Sequence, residues 1–130
     1  MKNFKRILVV DDDTDDQALF CDAIEAIIED IECVMANNGL EGLQKLAFPP
    51  PYDVIFLDLN MPIMNGYETL TVLKKDDQYK NIPVIILSTS YSERDIKRCK
   101  DLGADKFLTK PSSFQELING LKPILNTYIT

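Results

Sequence analysis

The sequence predicts an α/β chain, a doubly wound parallel sheet with helices on both faces. Three observations predict it. Short apolar runs such as Ile7-Leu8-Val9-Val10, Val54-Ile55-Phe56-Leu57 and Val84-Ile85-Ile86-Leu87 read as buried strands. Segments with apolar residues at helical spacing follow them, so strand-like and helix-like stretches alternate five times in 130 residues. Each run also ends in polar residues: Asp11-Asp12-Asp13, Asp58, Ser88-Thr89-Ser90 and, after Phe107-Leu108-Thr109, Lys110-Pro111. In such sheets the carboxyl ends of the strands share one edge, where ligands bind.

The elements follow in order. A first strand covers about residues 5 to 10, and Thr14 with Gln17 three later predicts a capping box that opens the first helix. Leu19, Ala23, Ile24, Ile27 and Ile28 recur along it at helical spacing. Residues 33 to 36 form a short second strand, and Asn37-Asn38-Gly39 starts a helix bearing Leu40, Leu43 and Leu46. Pro49-Pro50-Pro51 cannot continue that helix and makes a stiff turn into the third strand. Residues 67 to 75 read as the third helix, with Leu70 and Leu73 inward, before a fourth strand at 83 to 87. Ser92 with Asp95 starts the fourth helix, and Gly103 ends it where a left-handed residue is wanted. Ser113 with Glu116 starts the fifth, in which Pro123 predicts a kink or restart near Lys122.

Composition narrows the function. The length fits one domain over 1–130, and no output domain is expected. No apolar run approaches the roughly 20 residues of a membrane span. Lys2, Lys5 and Arg6 precede only four apolar residues, so the start is no signal peptide, and a cytoplasmic protein is expected. A net charge of −7 disfavours direct nucleic-acid binding, which needs a basic face. Cys21, Cys33 and Cys99 are odd in number and lack CxxC spacing, so reduced core residues are expected. The chain has no His, which excludes a catalytic triad, histidine acid–base chemistry and a phosphohistidine of its own.

The strand ends together carry a nucleophilic carboxylate, an acidic pair, a hydroxyl and an ammonium. Hard cations such as Mg2+ take one or two carboxylates and keep several waters, which suits Asp11, Asp12 and Asp58. Asp13, Asp15 and Asp16 read instead as a solvated acidic helix start favoured by the helix dipole. Asp58 as nucleophile would form an aspartyl phosphate; the alternative is a carboxylate that caps the following loop. Lys110 offers a mobile positive charge for phosphoryl oxygens, and Ser88 a hydrogen-bond donor.

These pieces, in this order, resemble the receiver domain of two-component response regulators from about Lys5 to Leu125. The motifs are Val-Val-Asp-Asp at 9–12, Asp-Leu-Asn-Met-Pro at 58–62 with Asn65-Gly66, Ser88 after Val-Ile-Ile-Leu, and Leu-Gly-Ala-Asp-Lys-Phe-Leu-Thr-Lys-Pro at 102–111. The resemblance implies a flavodoxin-like (βα)5 fold with strand order 2-1-3-4-5 and a stand-alone, single-domain response regulator. It implies that Asp58 accepts a phosphoryl group from a histidine kinase or histidine phosphotransfer protein. Asp11, Asp12, Asp58 and the backbone carbonyl of Asn60 would hold Mg2+, with Mn2+ as an alternative. Ser88 and Lys110 would contact the phosphoryl group, Lys110-Pro111 would be a cis peptide, and Phe107 would be the aromatic switch residue. The output is then contact with a downstream protein target through helix four, strand five and helix five, from a switch rather than an enzyme on other substrates.

Three residues depart from the family pattern. Ser88 stands where threonine is commoner, Thr89 where Ala or Gly is usual, and Phe107 lacks the hydroxyl of the common tyrosine. Ser90 is expected to face the site with Asn60. The Leu-Ser-Thr-Ser and Asp-Leu-Asn-Met-Pro pieces look a little like phytochrome-associated single-domain regulators. Arg94, Lys97, Arg98 and Lys100 make helix four basic on an acidic chain, either as a solvated face or as a docking surface for a partner or a second copy. Alternative readings are a phosphorelay intermediate that passes the group to another histidine, a flavin-binding domain of like topology, and a receiver-like module that is never phosphorylated.

Overall fold

The computed structural model describes residues 5–89 and 91–129. Strands and helices alternate as β1 (Lys5–Val10), α1 (Thr14–Ile27), β2 (Ile31–Ala36), α2 (Gly39–Leu46), β3 (Val54–Asp58), α3 (Gly66–Lys75), β4 (Val84–Ser88), α4 (Glu93–Asp101), β5 (Lys106–Thr109) and α5 (Phe114–Tyr128). The strands form one sheet in the order β2-β1-β3-β4-β5, and every neighbouring pair is parallel. This is the flavodoxin-like arrangement, and its order reverses at β1 and β3, which opens a crevice at their carboxyl ends.

Period-two alternation divides the core into two layers. Ile7, Val9, Phe56, Ile85 and Leu87 point to one face, where Phe20 and Ile24 of α1 and Leu117, Leu121 and Leu125 of α5 cover them. Leu8, Val10, Ile55, Leu57 and Ile86 point to the other, beneath Leu46 of α2, Leu70 and Leu73 of α3 and Cys99 of α4. Phe56, Ile55, Leu57, Ile85, Ile86 and Leu121 are all fully buried. At roughly 1.5–3 kcal/mol for each such side chain, these two layers supply the main force that closes the sheet.

Several local expectations change. Asp13, not Thr14, caps α1, because its carboxylate accepts from the amides of Asp15 and Asp16. Gln17 is no capping partner but a buried clamp whose amide donates to the carbonyls of Asp11 and Ala36 and to Asn37 Oδ1. On α1, Leu19 is 41% exposed, because Phe20, Cys21, Ala23 and Ile24 form the face that packs on the sheet. β2 begins two residues earlier than the second strand read from the sequence, in register with β1 from Lys5↔Ile31 onward. Asn38, Asn65, Ser92 and Ser113 each cap a helix, and Gly103 has φ +103 just beyond α4.

Three further expectations are overturned. Of the kink or restart expected near Lys122, the restart does not occur: α5 runs through Pro123 as one helix. The carbonyl that loses its donor belongs to exposed Asn119, while Leu117, Leu121 and Leu125 anchor both sides of the proline in the core. Cys21 and Cys33 are not reduced core residues but a disulfide, with Cα atoms 5.8 Å apart, and only Cys99 is free. Packing of α1 on β2 brings the pair together, which linear spacing does not reveal. Lys110-Pro111 is not cis; among the described residues the cis bond is Pro49-Pro50. Trans is the lower-energy isomer before proline by about 0.5–1 kcal/mol, and in it the Lys110 ammonium already reaches its carboxylate partners. Ser90 lies outside the described residues. Among those described, no helix is long and apolar enough to cross a membrane.

Gln17→Leu keeps the volume but removes two N–H donors from buried carbonyls, so chemical denaturation should show a loss of about 1–3 kcal/mol. An unchanged midpoint would mean that Gln17 fills space rather than fastening α1 to the ends of β1 and β2.

Candidate functional site

The parallel sheet puts the ends of β1, β3, β4 and β5 side by side, and their last residues form one cluster. Asp11 follows β1 directly and is 2% exposed. Its Oδ1 accepts from the Asp13 amide at 3.0 Å, and its Oδ2 meets Lys110 Nζ at 2.7 Å. Asp12 is exposed above it. Asp58 is the last residue of β3 and is 6% exposed. One carboxylate oxygen from each of Asp11, Asp12 and Asp58 lies within 4.8 Å of the others. Three oxygens gathered this closely are the donor set that a hard divalent cation takes.

Lys110 closes the cluster from β5. Its amide donates to the Ser88 carbonyl at 2.7 Å, which ties the β5 end to the β4 end. Its ammonium then reaches Asp11, Asp16 at 3.2 Å and Asp58 Oδ1 at 3.8 Å. Ser88 is 5% exposed, opposite Thr109 in register and one position beyond the Asp58↔Leu87 pair. Thr89 and Asn60 are exposed at the rim.

Electrostatics make the cluster unbalanced. Four carboxylates, Asp11, Asp12, Asp16 and Asp58, surround one ammonium. Burial pushes the Asp58 carboxyl up from its ordinary 3.8 to about 6; Lys110 opposes this, while Asp11 and Asp12 add to it. Burial also raises Asp11, outweighing its hydrogen bond from Lys110. Burial pulls Lys110 down, but the Asp11 hydrogen bond and the charges of Asp11 and Asp58 more than offset it and hold it above its usual value. An added cation would relieve the repulsion that Lys110 alone leaves in place.

The loop after β3 shapes the approach to Asp58. Gly66 donates to the Leu59 carbonyl at 3.0 Å, and a Cβ on Gly66 would sit 2.4 Å from the Asp58 carbonyl oxygen. Only glycine lets α3 begin this close to the acceptor strand. Ile63 has φ +68 inside a three-residue turn closed by Met64 N–H to Pro62 O at 2.7 Å. A β-branched residue held there costs about 1–2 kcal/mol.

The sequence placed Asp11, Asp12, Asp58, Ser88 and Lys110 here, and the structure brings all five together. It missed two contributors. Asp16, read as a solvated helix acid, pairs with Lys110 from the first turn of α1, just after the Asp13 cap. Tyr91 donates toward the carbonyls of Ile86 and Leu108 and meets half-buried Phe107 edge-on, ring centroids 5.6 Å apart. No local pattern marks Tyr91, because its role depends on β5 lying beside β4, which brings the Leu108 carbonyl and the Phe107 ring to it.

The family model for the response regulator receiver domain matches residues 7–122. The chain belongs to this family. It is 33% identical over 121 residues to the polar-differentiation response regulator DivK of Brucella anthropi, covering 93% of this chain and 96% of DivK. It is 39% identical over 120 residues to a CpxR homolog of Haemophilus influenzae, covering 92% of this chain but only half of that longer transcriptional regulator. Among solved structures, the phosphorylated cyanobacterial phytochrome response regulator RcpA superposes with a TM-score of 0.90 at 32% identity, over 98% of this chain and 96% of RcpA. The Mn2+-bound form of the response regulator Rcp1 superposes with a TM-score of 0.84 at 29% identity, over 97% and 96% of the two chains. The receiver domain family accounts for the acidic cluster as a fit to a phosphorylation site with a divalent metal.

The receiver domain's raised Asp58 has a signed consequence for stability. Between about pH 4 and 6 the native state holds a proton that the unfolded state has lost. The cost of the charged form is therefore fully present above pH 6 and is relieved as pH falls through 6. In chelator at pH 8, Asp58→Asn should be more stable than wild type by about 1–3 kcal/mol, and thermal unfolding at pH 5 should show a smaller gap. A gap that is absent, or equal at both pH values, would refute the buried-charge account.

Proposed function

We propose that this receiver domain is a single-domain response regulator over residues 1–130 that accepts a phosphoryl group on Asp58 and signals through protein contact. The observation that carries this reading is the under-neutralised acidic cluster. A nearly buried Asp58 carboxylate ends β3, with Asp11 and Asp12 oxygens within 4.8 Å and a lysine ammonium 3.8 Å away. The end-to-end match with DivK supports a receiver that works without an output domain of its own. The phosphorylated state of the RcpA structure and the Mn2+ of the Rcp1 structure support the chemistry by likeness.

The donor is a phosphohistidine on a histidine kinase or histidine phosphotransfer protein, since this chain has no His. An Asp58 carboxylate oxygen attacks phosphorus. A P–O bond forms as the P–N bond breaks, and the departing electron pair stays on the imidazole nitrogen, which takes up a proton. Asp11, Asp12, Asp58 and the Asn60 carbonyl would hold Mg2+ or Mn2+, and a cation bound there neutralises charge between the incoming phosphoryl group and the carboxylates. Lys110 leaves its Asp16 contact to meet a phosphoryl oxygen, and the Ser88 hydroxyl donates to another. Ser88 shifts with it, Phe107 repacks against Tyr91, and the α4–β5–α5 face presents a changed surface to the downstream protein. The cytoplasm is the compartment that fits such a donor.

Incubation with acetyl phosphate tests the reading without a partner. Intact mass should show one added phosphoryl group in wild type with Mg2+, little with chelator, and none in Asp58→Asn. Full labelling of Asp58→Asn would remove Asp58 as acceptor.

A further inference from the structure

We propose that Cys21 and Cys33 are a reversible thiol–disulfide site that locks α1 onto edge strand β2, oxidised and reduced by small disulfides and thiols of the glutathione class. The pair joins Cys21 in the middle of α1 to Cys33 on β2, twelve residues apart in sequence. Their Cα separation of 5.8 Å falls in the range that a disulfide spans without moving the backbone.

The two sulfurs differ in access, which assigns their roles. Cys33 is half-buried on the outermost strand, where only β1 flanks β2 in the sheet. Cys21 is 6% exposed and packs in the α1–α5 layer of the core. Cys33 is therefore the entry thiol and Cys21 the resolving one. The Cys33 thiolate attacks glutathione disulfide; a Cys33–glutathione S–S bond forms and one glutathione thiolate leaves. Cys21 then attacks the Cys33 sulfur and expels the second. The protein loses two protons and two electrons, and glutathione disulfide gains them as two glutathione molecules. Excess glutathione runs the exchange backwards.

The cross-link has a mechanical meaning because of where α1 leads. One helical turn before Cys21, Gln17 binds the Asp11 and Ala36 carbonyls, and one residue earlier Asp16 binds Lys110. Oxidised, α1 is held to β2 at two levels, Gln17 against Ala36 and Cys21 against Cys33. Reduced, the covalent level is lost while Gln17 and the apolar packing remain, and the α1 turn that carries Asp16 opens more often. Cys99 is fully buried in the opposite core layer, so it stays a thiol and serves as an internal control.

The test compares the full chain after glutathione disulfide and after dithiothreitol. Oxidised wild type should be lighter by about 2 Da and show one titratable thiol on denaturation against three when reduced. Hydrogen exchange over residues 14–36 should be slower in the oxidised form by roughly tenfold or more. Cys21→Ser, which keeps the size, should stop at a Cys33–glutathione adduct that wild type does not accumulate. Three persisting thiols, or a stable glutathione adduct on wild type, would overturn the site; equal exchange in both forms would overturn the lock. Neither outcome depends on phosphorylation at Asp58.

Discussion

The structure turns on the burial of one charge. Asp58 must sit at the end of a strand that is covered on both faces, because only there is it aligned with Asp11, Lys110 and Ser88. That position removes it from water, and water is what would otherwise stabilise its negative charge. The fold supplies one ammonium for four carboxylates, and the result is a carboxyl held near 6. A site left short of positive charge suits a divalent cation. The same shortfall makes the ammonium of Lys110 divide itself among Asp11, Asp16 and Asp58 rather than commit to one, so a new anion can redirect it at little cost.

The rest of the molecule holds this arrangement in place. Alternating strand residues build two core layers, which fix the sheet, which in turn fixes the strand ends. Gly66 lets α3 start against the Asp58 carbonyl, and Gln17 fastens α1 to the β1 and β2 ends. Tyr91 bridges toward the carbonyls of β4 and β5 while its ring abuts Phe107, which ties these two strands to the aromatic residue. The basic residues of α4 are partly committed: Arg98 stacks on Tyr67 at 3.8 Å, Tyr67 donates to Asp95, and Lys97 pairs with Asp101. Arg94 and Lys100 are the α4 cations most open to a partner.

Much of this was legible in the sequence, for a physical reason. Buried parallel strands need continuous apolar runs, and a doubly wound sheet needs its chemistry at their carboxyl ends, so Asp11, Asp12, Asp58, Ser88 and Lys110 announce themselves by position. Caps at Asn38, Ser92 and Ser113 were readable because capping is local. Most of the misses were tertiary. Thr14 and Gln17 have the spacing of a capping box, yet Asp13 lies one residue earlier and Gln17 is needed by buried carbonyls. Cys21 and Cys33 meet only when α1 packs on β2. Pro123 breaks an isolated helix, but leucines on either side hold α5 in the core. Asp16 finds Lys110 from 94 residues away.

The central claim is that the carboxylate cluster at the sheet edge binds one divalent cation. Calorimetric titration of Mg2+ into unphosphorylated protein measures it directly. The account predicts one site per chain, weakened about tenfold or more by Asp11→Asn or Asp12→Asn but little changed by Asp13→Asn, whose carboxylate caps α1 outside the cluster. Equal affinity in all three variants would contradict it.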